Sequence, residues 1–194
     1  IAGLIRAGVY KAQAIGVSDP DASRRAQLAS RHGVRVQDDN AALAAAAPVL
    51  VLAVKPQTLD AVLPGLTPVV GGGHLVVSIL AGKPLAAFET ALPQARVVRV
   101  MPNLAALVGQ GVSAFCAGRA ARPDDRAAVQ TLLEAFGTAV ELPESTFDAV
   151  TALSGSGPAF VAYFTQALAD AGAGLGLPED AAQRLALQTL RGTA

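Results

Sequence analysis

Polar, small or conformationally restricted residues follow several short apolar segments of this sequence, at the places where strands of an α/β sheet would end. Ligands of open α/β sheets bind in the crevice outside the carboxyl ends of the strands. A bound dinucleotide needs hydrogen-bond donors, room and accessible backbone at that edge. The candidate binding residues are therefore Ser18 with Asp19, Asn40, Ala53-Val54-Lys55-Pro56, Ser78 to Gly82, and Met101-Pro102-Asn103.

Ser18 and Asn40 each allow two interpretations. Ser18 is either an ordinary turn residue or the residue that meets the adenosine ribose. An acidic side chain at that place bonds the ribose 2′-hydroxyl of NAD, whereas a small hydroxyl leaves room for a 2′-phosphate. Asp19, next in the sequence, leaves the choice of cofactor open. Asn40 is either a helix cap or a cofactor contact, and the two roles are compatible.

Lys55 follows the apolar residues Val49 to Val54 directly. A lysine ammonium cannot stay unpaired in a core without a large desolvation penalty, so Lys55 must reach the edge of the sheet. It is either a solvated strand end or a contact for an anionic ligand. If it is a contact, replacing Lys55 by Ala weakens cofactor binding more than it alters folding.

The remaining reactive side chains point to no other chemistry. Ser154-Gly155-Ser156-Gly157-Pro158 opens a helix whose amides could hold an anion, but it is not a nucleophile elbow and lacks a His-Asp pair. Cys116 lies in an apolar strand and is predicted to be a core residue. The two histidines and the single cysteine provide no metal-ligand cluster, so no metal site is expected.

Short strands alternate with helices as far as Leu142, which predicts a doubly wound α/β sheet with right-handed crossovers. The strands are predicted at 14–18, 34–36, 49–54, 75–79, 95–100, 111–116 and 138–142. One helix is predicted to begin at Ser23, with Ser23 as its N-cap. Further helices are predicted at 41–47, 58–66, 85–91 and 123–136. The continuous apolar run at 49–54 predicts a central parallel strand. Met101-Pro102-Asn103 is predicted to end the strand at 95–100.

From Thr146 onward only helical spacing is present. Phe160, Phe164 and Leu168 fall on one helix face, and Pro178 with Glu179 begins a further helix. These helices need partners, for instance from another subunit. The predicted organisation is an α/β domain at 1–145 followed by the start of an all-helical domain at 146–194.

Composition excludes several classes of protein. The 194 residues include 15 Lys+Arg and 15 Asp+Glu, a formal net charge of +0, so no positive field favours nucleic acid. The apolar segments are shorter than the roughly 18 residues that a membrane span needs. One cysteine cannot form an internal disulfide, and the expected location is the reducing cytoplasm.

Taken together and in order, the motifs of this sequence resemble those of the pyrroline-5-carboxylate reductase family. The stretches that carry the resemblance over essentially the whole chain are Val17 to Asp19, Leu52 to Gln57, Val77 to Gly82, Val98 to Asn103, and Asp148 to Phe160. Each stretch alone is weak evidence for the family. Three of them taken together are specific to it, namely Ala-Val-Lys-Pro, Arg-Val-Met-Pro-Asn and Leu-Ser-Gly-Ser-Gly-Pro-Ala.

The resemblance implies a Rossmann domain that binds NADPH or NADH and a helical domain that interlocks with a second subunit, in a homodimer or a multiple of dimers. It also implies reduction of 1-pyrroline-5-carboxylate to L-proline. By position, Ser18 and Asn40 would border the adenosine, Ala53 to Pro56 the ribose and phosphates, and Ile79, Leu80 and Ala81 the nicotinamide. Pro102 and Asn103 would border the nicotinamide and the substrate.

The sequence departs from the family pattern at three places. The Gly-rich pyrophosphate loop and the first strand would precede Ile1, and the Ser-Pro-Gly-Gly-Thr segment that holds the substrate carboxylate would follow Ala194. We therefore expect a fragment that is inactive alone, with the catalytic residues beyond Ala194. Pro20 replaces a frequent arginine, so Arg24 and Arg25 become the substitutes for binding a 2′-phosphate.

Two alternative functions remain open at this point. One is a related NAD(P)-dependent imine or hydroxyacid reductase, although such enzymes usually keep a catalytic lysine on the long interdomain helix and no lysine follows Gly157 here. The other is a non-catalytic dinucleotide-binding module that serves assembly only.

Overall fold

The computed structural model describes residues 1–194 and contains seven strands and nine α-helices, joined by short 3₁₀ and π-helical segments. The strands are β1 (Gly16–Ser18), β2 (Arg35–Gln37), β3 (Val49–Leu52), β4 (Leu75–Ser78), β5 (Arg96–Pro102), β6 (Gly111–Ala117) and β7 (Gly137–Glu141). The helices are α1 (Ala2–Arg6), α2 (Ala22–His32), α3 (Asn40–Ala45), α4 (Leu59–Leu66), α5 (Leu85–Ala91), α6 (Pro123–Glu134), α7 (Phe147–Val150), α8 (Gly157–Gly174) and α9 (Glu179–Thr193).

The strands form two sheets. β1 and β2 make a parallel pair, and the other strands form one sheet in the order β3-β4-β5-β6-β7. In that sheet β3, β4 and β5 are parallel, whereas β6 runs antiparallel to β5 and parallel to β7. The predicted α/β class is confirmed, but the sheet is mixed. The reason is that only a short 3₁₀ segment, Leu104–Val108, joins β5 to β6, and a parallel neighbour needs a connection of roughly a dozen residues.

Two strands differ from their predicted form. Within residues 1–194, β3 has β4 as its only hydrogen-bonded neighbour and Val51 is 53% exposed, so the prediction of a central covered strand does not hold within these residues. β5 continues through Pro102, which pairs opposite Ser113, although a break at Met101 was predicted. A proline at the end of a strand removes one donor only, and its fixed φ fits extended backbone.

Aspartates cap the two helices that follow β1 and β2. Asp21 Oδ1 accepts the backbone N–H of Ser23 at 2.8 Å and the hydroxyl of Ser23 at 2.7 Å, so the prediction of Ser23 as the cap is wrong. The hydrogen bond from the Ser23 side chain, with those from the Arg24 and Ser23 backbone, lowers the pKa of Asp21. Asp39 caps α3 by accepting the N–H of Ala41 at 2.8 Å. Asn40 is therefore the first residue of α3 instead of its cap, and its side chain is exposed.

Apolar side chains cover both faces of the five-stranded sheet. Along β5, Val98 and Val100 belong to the cluster on one face, and Val97 belongs to the larger cluster on the other face with Phe88 and Phe147. Cys116 is buried in the larger cluster, as predicted, and burial raises the pKa of its thiol to about 11.

After β7 the chain is helical, as the sequence pattern predicts. α7 continues into a π-helical segment, Thr151–Gly155, and α8 and α9 pack against each other. Gly172 allows this contact because a Cβ there would lie 3.2 Å from the Cβ of Ala182. The outer face of α8 exposes Phe160, Tyr163 and Phe164 to solvent. None of the helices combines the length and the apolar character required to cross a bilayer.

Candidate functional site

The register of the parallel strands brings the predicted residues to one edge of the five-stranded sheet. Leu52 pairs with Ser78, and Ser78 pairs with Arg99. The segments that follow these three residues therefore leave the sheet on the same side. They contain Ala53 to Pro56, Ile79 to Ala81, and Pro102 with Asn103.

The residues after β3 present a cation to solvent. Ala53 and Lys55 are exposed, Val54 packs against the core, and Pro56 begins a 3₁₀ turn. The carbonyl of Lys55 accepts two hydrogen bonds from Thr58, one from its backbone N–H at 2.9 Å and one from its side-chain hydroxyl at 2.8 Å, so the backbone here is fixed. The ammonium of Lys55 takes part in none of the ion pairs in the structure. Lys55 is thus a free positive charge on a rigid turn.

The residues after β4 form a turn anchored in the core. Ser78 is fully buried, and its hydroxyl accepts the N–H of Leu80 at 3.3 Å. The Leu80 side chain is buried, so a contact from Leu80 to a ligand at the edge would use its backbone. Ile79 is half-buried and Ala81 is exposed, which leaves surface for a flat ligand at this turn.

Ser18 and Asn40 lie at the carboxyl edge of the smaller sheet. Ser18 ends β1, and Asn40 follows β2, which pairs with β1 in parallel. α3 packs against both strands and against α4. His74 Nε2 lies 3.2 Å from the carbonyl of Ala44, one residue before the end of α3. Helix α3 therefore links this pair to the larger sheet.

The arginines beyond Ser18 differ in their availability. Arg25 donates to the carbonyls of Asp19 at 2.6 Å and Pro20 at 3.2 Å, so its guanidinium holds the loop together. The Arg24 side chain is 68% exposed, and its Nε lies 3.8 Å from Asp19 Oδ2. Asp19 also accepts the N–H of Asp21 at 2.9 Å. Of the two arginines, Arg24 is the one that can turn toward a ligand.

Asn103 lies beside a cleft of about 670 Å³ between the end of β5 and helices α8 and α9. The side-chain oxygen of Asn103 accepts the N–H of Val112 at 3.1 Å, which leaves the Nδ2 amide without a hydrogen bond in the structure. Ser154, Thr165 and Gln183 also line the cleft among apolar residues. Its volume is in the range of small-molecule sites, which is roughly 300–1,000 Å³.

Two sequence motifs meet at this cleft. A Cβ at Gly155 would lie 2.8 Å from Cε of Met101, so the absence of a side chain lets the π-helical segment contact the end of β5. The N–H of Ser156 donates to the carbonyl of Thr151 at 2.8 Å, and Ser154 Oγ donates to the carbonyl of Val150 at 3.0 Å. π-helical turns of this kind are frequent at functional sites. The Met-Pro-Asn and Leu-Ser-Gly-Ser-Gly-Pro motifs thus form one region.

Sequence reasoning missed an ion pair between a buried arginine and a partly exposed glutamate in this region. Arg99 Nη1 lies 2.9 Å from Glu144 Oε1, and the Arg99 side chain is only 8% exposed. The available signal was a charged residue at the middle of an otherwise apolar strand, because such a residue is rarely buried without a partner. Nothing in the local sequence identifies Glu144 as that partner.

The side chains along the edge fit a dinucleotide in charge and in size. The carboxyl edges of the two sheets together offer two exposed cations, two neutral hydrogen-bonding side chains and two small residues, which are Arg24 and Lys55, Ser18 and Asn40, and Ala53 and Ala81. Cations suit the phosphate groups, and small residues allow close approach. No cluster of three or more His, Cys, Asp or Glu side chains is arranged to hold a metal ion.

Comparison with known proteins shows the family that this chain resembles. Residues 144–194 match the family model described as pyrroline-5-carboxylate reductase dimerisation, and residues 1–82 match the model described as NADP oxidoreductase coenzyme F420-dependent. A pyrroline-5-carboxylate reductase from a Synechocystis strain is 45% identical over 196 residues, which cover 100% of this chain and 72% of that relative.

Solved structures give the same result. A pyrroline-5-carboxylate reductase from Coxiella burnetii superposes with a TM-score of 0.92 at 31% identity, covering 98% of this chain and 72% of the other. The NADP-bound pyrroline carboxylate reductase of Plasmodium falciparum gives a TM-score of 0.88 at 29% identity, over 98% and 70% of the two chains.

The fold and these matches define an oxidoreductase in which a Rossmann-type α/β sheet is followed by dimerisation helices. The match to the Synechocystis relative extends over the whole chain at 45% identity, and this identifies the family within that class. The chain belongs to the pyrroline-5-carboxylate reductase family.

We expect Lys55→Ala to raise the dissociation constant for NADPH roughly tenfold, because the free ammonium at the strand end is placed to contact a phosphate. Lys11→Ala is the matched control. Lys11 is also exposed, but it lies before the amino end of β1, whereas Lys55 follows the carboxyl end of β3. Binding is measured by titrating NADPH into the whole protein that contains these 194 residues, and folding stability is measured by urea unfolding. An unchanged dissociation constant in Lys55→Ala would refute the role.

Proposed function

We propose that the protein reduces 1-pyrroline-5-carboxylate to L-proline with NADPH or NADH, and so completes proline biosynthesis. The observation that carries this proposal is the 45% identity to a pyrroline-5-carboxylate reductase across the whole chain. The candidate edge and the cleft beside Asn103 supply, in this chain, a place for a dinucleotide and a place for a small substrate.

The reaction requires a hydride and a proton on the two atoms of a C=N bond. The reduced nicotinamide supplies the hydride when it is bound. The hydride goes to the imine carbon and the nitrogen carries the proton, which gives the secondary amine of proline and the oxidised cofactor. A protonated cyclic imine is already electrophilic, so the protein has to position the reactants and exclude water rather than provide a nucleophile.

Each segment of the edge has a proposed task. Ser18 and Asn40 bind the adenosine side, and Ala53 to Pro56 bind the ribose and phosphates. Ile79 to Ala81 form the surface on which the nicotinamide lies, with Leu80 acting through its backbone. Pro102 and Asn103 border the nicotinamide and the substrate, and the free Nδ2 amide of Asn103 is a donor that can orient the substrate or the nicotinamide amide.

The helical region is proposed to pair with a second copy of the chain. Support comes from the match of residues 144–194 to a dimerisation model and from the exposed aromatic face of α8. Exposed apolar patches of this kind mark interaction sites. We place the boundary between the α/β domain and the helical domain near residue 145, after β7 ends at Glu141. The cytoplasmic location stays a prediction from the sequence.

Turnover with 1-pyrroline-5-carboxylate is the direct test of the proposed function. We expect the protein that carries this sequence to oxidise NADPH or NADH, followed by absorbance, with L-proline as the product identified by chromatography. A related imine or hydroxyacid reductase would instead turn over a different imine or a keto acid. Binding of the cofactor without any turnover would favour the non-catalytic module.

Arg24 is expected to set the preference between the two cofactors. In Arg24→Ala, kcat/KM for NADPH should fall roughly tenfold more than kcat/KM for NADH, because only NADPH carries a 2′-phosphate near Ser18. Arg31→Ala is the control on the same helix, at its last turn. Equal losses with both cofactors would contradict a contact to the 2′-phosphate.

A charge on the outer face of α8 should prevent pairing of the helical regions. We expect Phe164→Glu to shift the protein from a dimer or larger assembly to a monomer in light scattering, since burying the new carboxylate is costly. Ala128→Glu, on the exposed side of α6, is expected to leave the molar mass unchanged. A wild type that is already monomeric, or an unchanged mass in Phe164→Glu, would count against this interface.

A further inference from the structure

We propose that Arg99 and Glu144 form a positioning pair that holds three segments of the active site in fixed relation to one another. The segments are the end of β5 with Pro102 and Asn103, the turn Ile79 to Ala81 that leads into α5, and the π-helical segment Thr151–Gly155. The inference rests on the proposed function, because it assigns the pair a role in that reaction.

Glu144 joins two of these segments through a single carboxylate oxygen. Its Oε1 accepts Nη1–H of Arg99 at 2.9 Å and the backbone N–H of Leu85 at 2.7 Å. Leu85 is the first residue of α5, and Pro84 before it provides no side-chain cap. Glu144 therefore satisfies a free helix N–H from a position far along the chain, and it ties the start of α5 to β5.

Arg99 joins β5 to the helical region by a second contact. Its guanidinium carbon lies 4.6 Å from the centroid of the Phe147 ring, in the geometry of a cation–π interaction. Phe147 is almost fully buried and begins α7, which runs directly into the π-helical segment. The guanidinium is thus held between a carboxylate and an aromatic face at the junction between the sheet and the helices.

The next residue on the same face of β5 makes the third contact. Side chains alternate along a strand, so Arg99 and Met101 point to one face. Met101 meets the π-helical segment at Gly155, where no Cβ intervenes. The helical region is therefore fixed to β5 at two points, and Pro102 and Asn103 follow directly. A shift of either point moves the cleft relative to the sheet edge.

A second ion pair on the same strand provides a matched control. Arg96 Nη1 lies 2.7 Å from Asp125 Oδ1, and Asp125 Oδ2 accepts the N–H of Arg122 at 2.8 Å at the start of α6. This pair also combines a guanidinium with the N–H at a helix start. It connects β5 to α6, which contributes no residue to the candidate edge or the cleft.

The test compares Glu144→Gln with Asp125→Asn in the protein that carries this sequence. Both variants keep a hydrogen-bond acceptor and remove the charge that pairs with a largely buried arginine, so both should lower the midpoint of thermal unfolding. Below those midpoints, we expect Glu144→Gln to lower kcat for imine reduction roughly tenfold or more, because small misplacements of reacting groups are costly. The dissociation constant for NADP⁺ should stay within about twofold, and kcat of Asp125→Asn should stay close to that of the wild type. Equal losses of kcat in the two variants, or none in either, would overturn the proposal.

Hydrogen exchange measured by mass spectrometry gives a readout that does not depend on turnover. Glu144→Gln should speed exchange at 79–85, 101–103 and 151–156 together, whereas Asp125→Asn should affect the start of α6. Unchanged protection at those three segments would overturn the proposal even if activity fell. A wild type without turnover would contradict the proposed function alone. If Glu144→Gln does not fold, Arg99→Lys keeps the positive charge and is expected to show the same pattern.

Discussion

The hydrogen-bonded register of β3, β4 and β5 is the constraint on which the candidate site depends. Leu52, Ser78 and Arg99 lie side by side across the sheet; β3 and β4 end at this level, and β5 continues through Pro102. Apart from Arg24, which is proposed to contact the 2′-phosphate, every residue proposed to contact the phosphates, the nicotinamide or the substrate lies at or just after the end of one of these three strands. Because strand spacing is fixed at about 4.8 Å by the ladder, the distances between these contacts are set before any side chain is chosen.

Much of this arrangement could be predicted from the sequence, because local patterns encode it. Helix α5 has the predicted bounds, Leu85–Ala91, and the change to purely helical structure after β7 was also predicted. The errors concern relations that a local pattern does not contain. The apolar run at Val49 does not report which strands neighbour β3, and the antiparallel direction of β6 follows from a connection too short for a crossover.

The site was predicted as a set of strand ends, and the structure adds how they are held. Ser78 illustrates the difference, since its position after three apolar residues suggested a contact to a ligand, whereas its buried hydroxyl accepts the N–H of Leu80 and shapes the turn. Arg99 and Glu144 are separated by 45 residues, so the pair could not be found from spacing. Long-range polar contacts of this kind depend on the tertiary fold, and single-sequence patterns do not report them.

The small residues of the Leu-Ser-Gly-Ser-Gly-Pro motif gain a physical explanation from this contact pattern. Gly155 leaves the space that Met101 Cε occupies, and the π-helical turn places the N–H of Ser156 on the carbonyl of Thr151. The turn therefore brings the helical region against the end of β5, next to Asn103. From there α8 lines the cleft with Val161, Thr165 and Ala169, whereas Phe160, Tyr163 and Phe164 are exposed on a different face of the same helix.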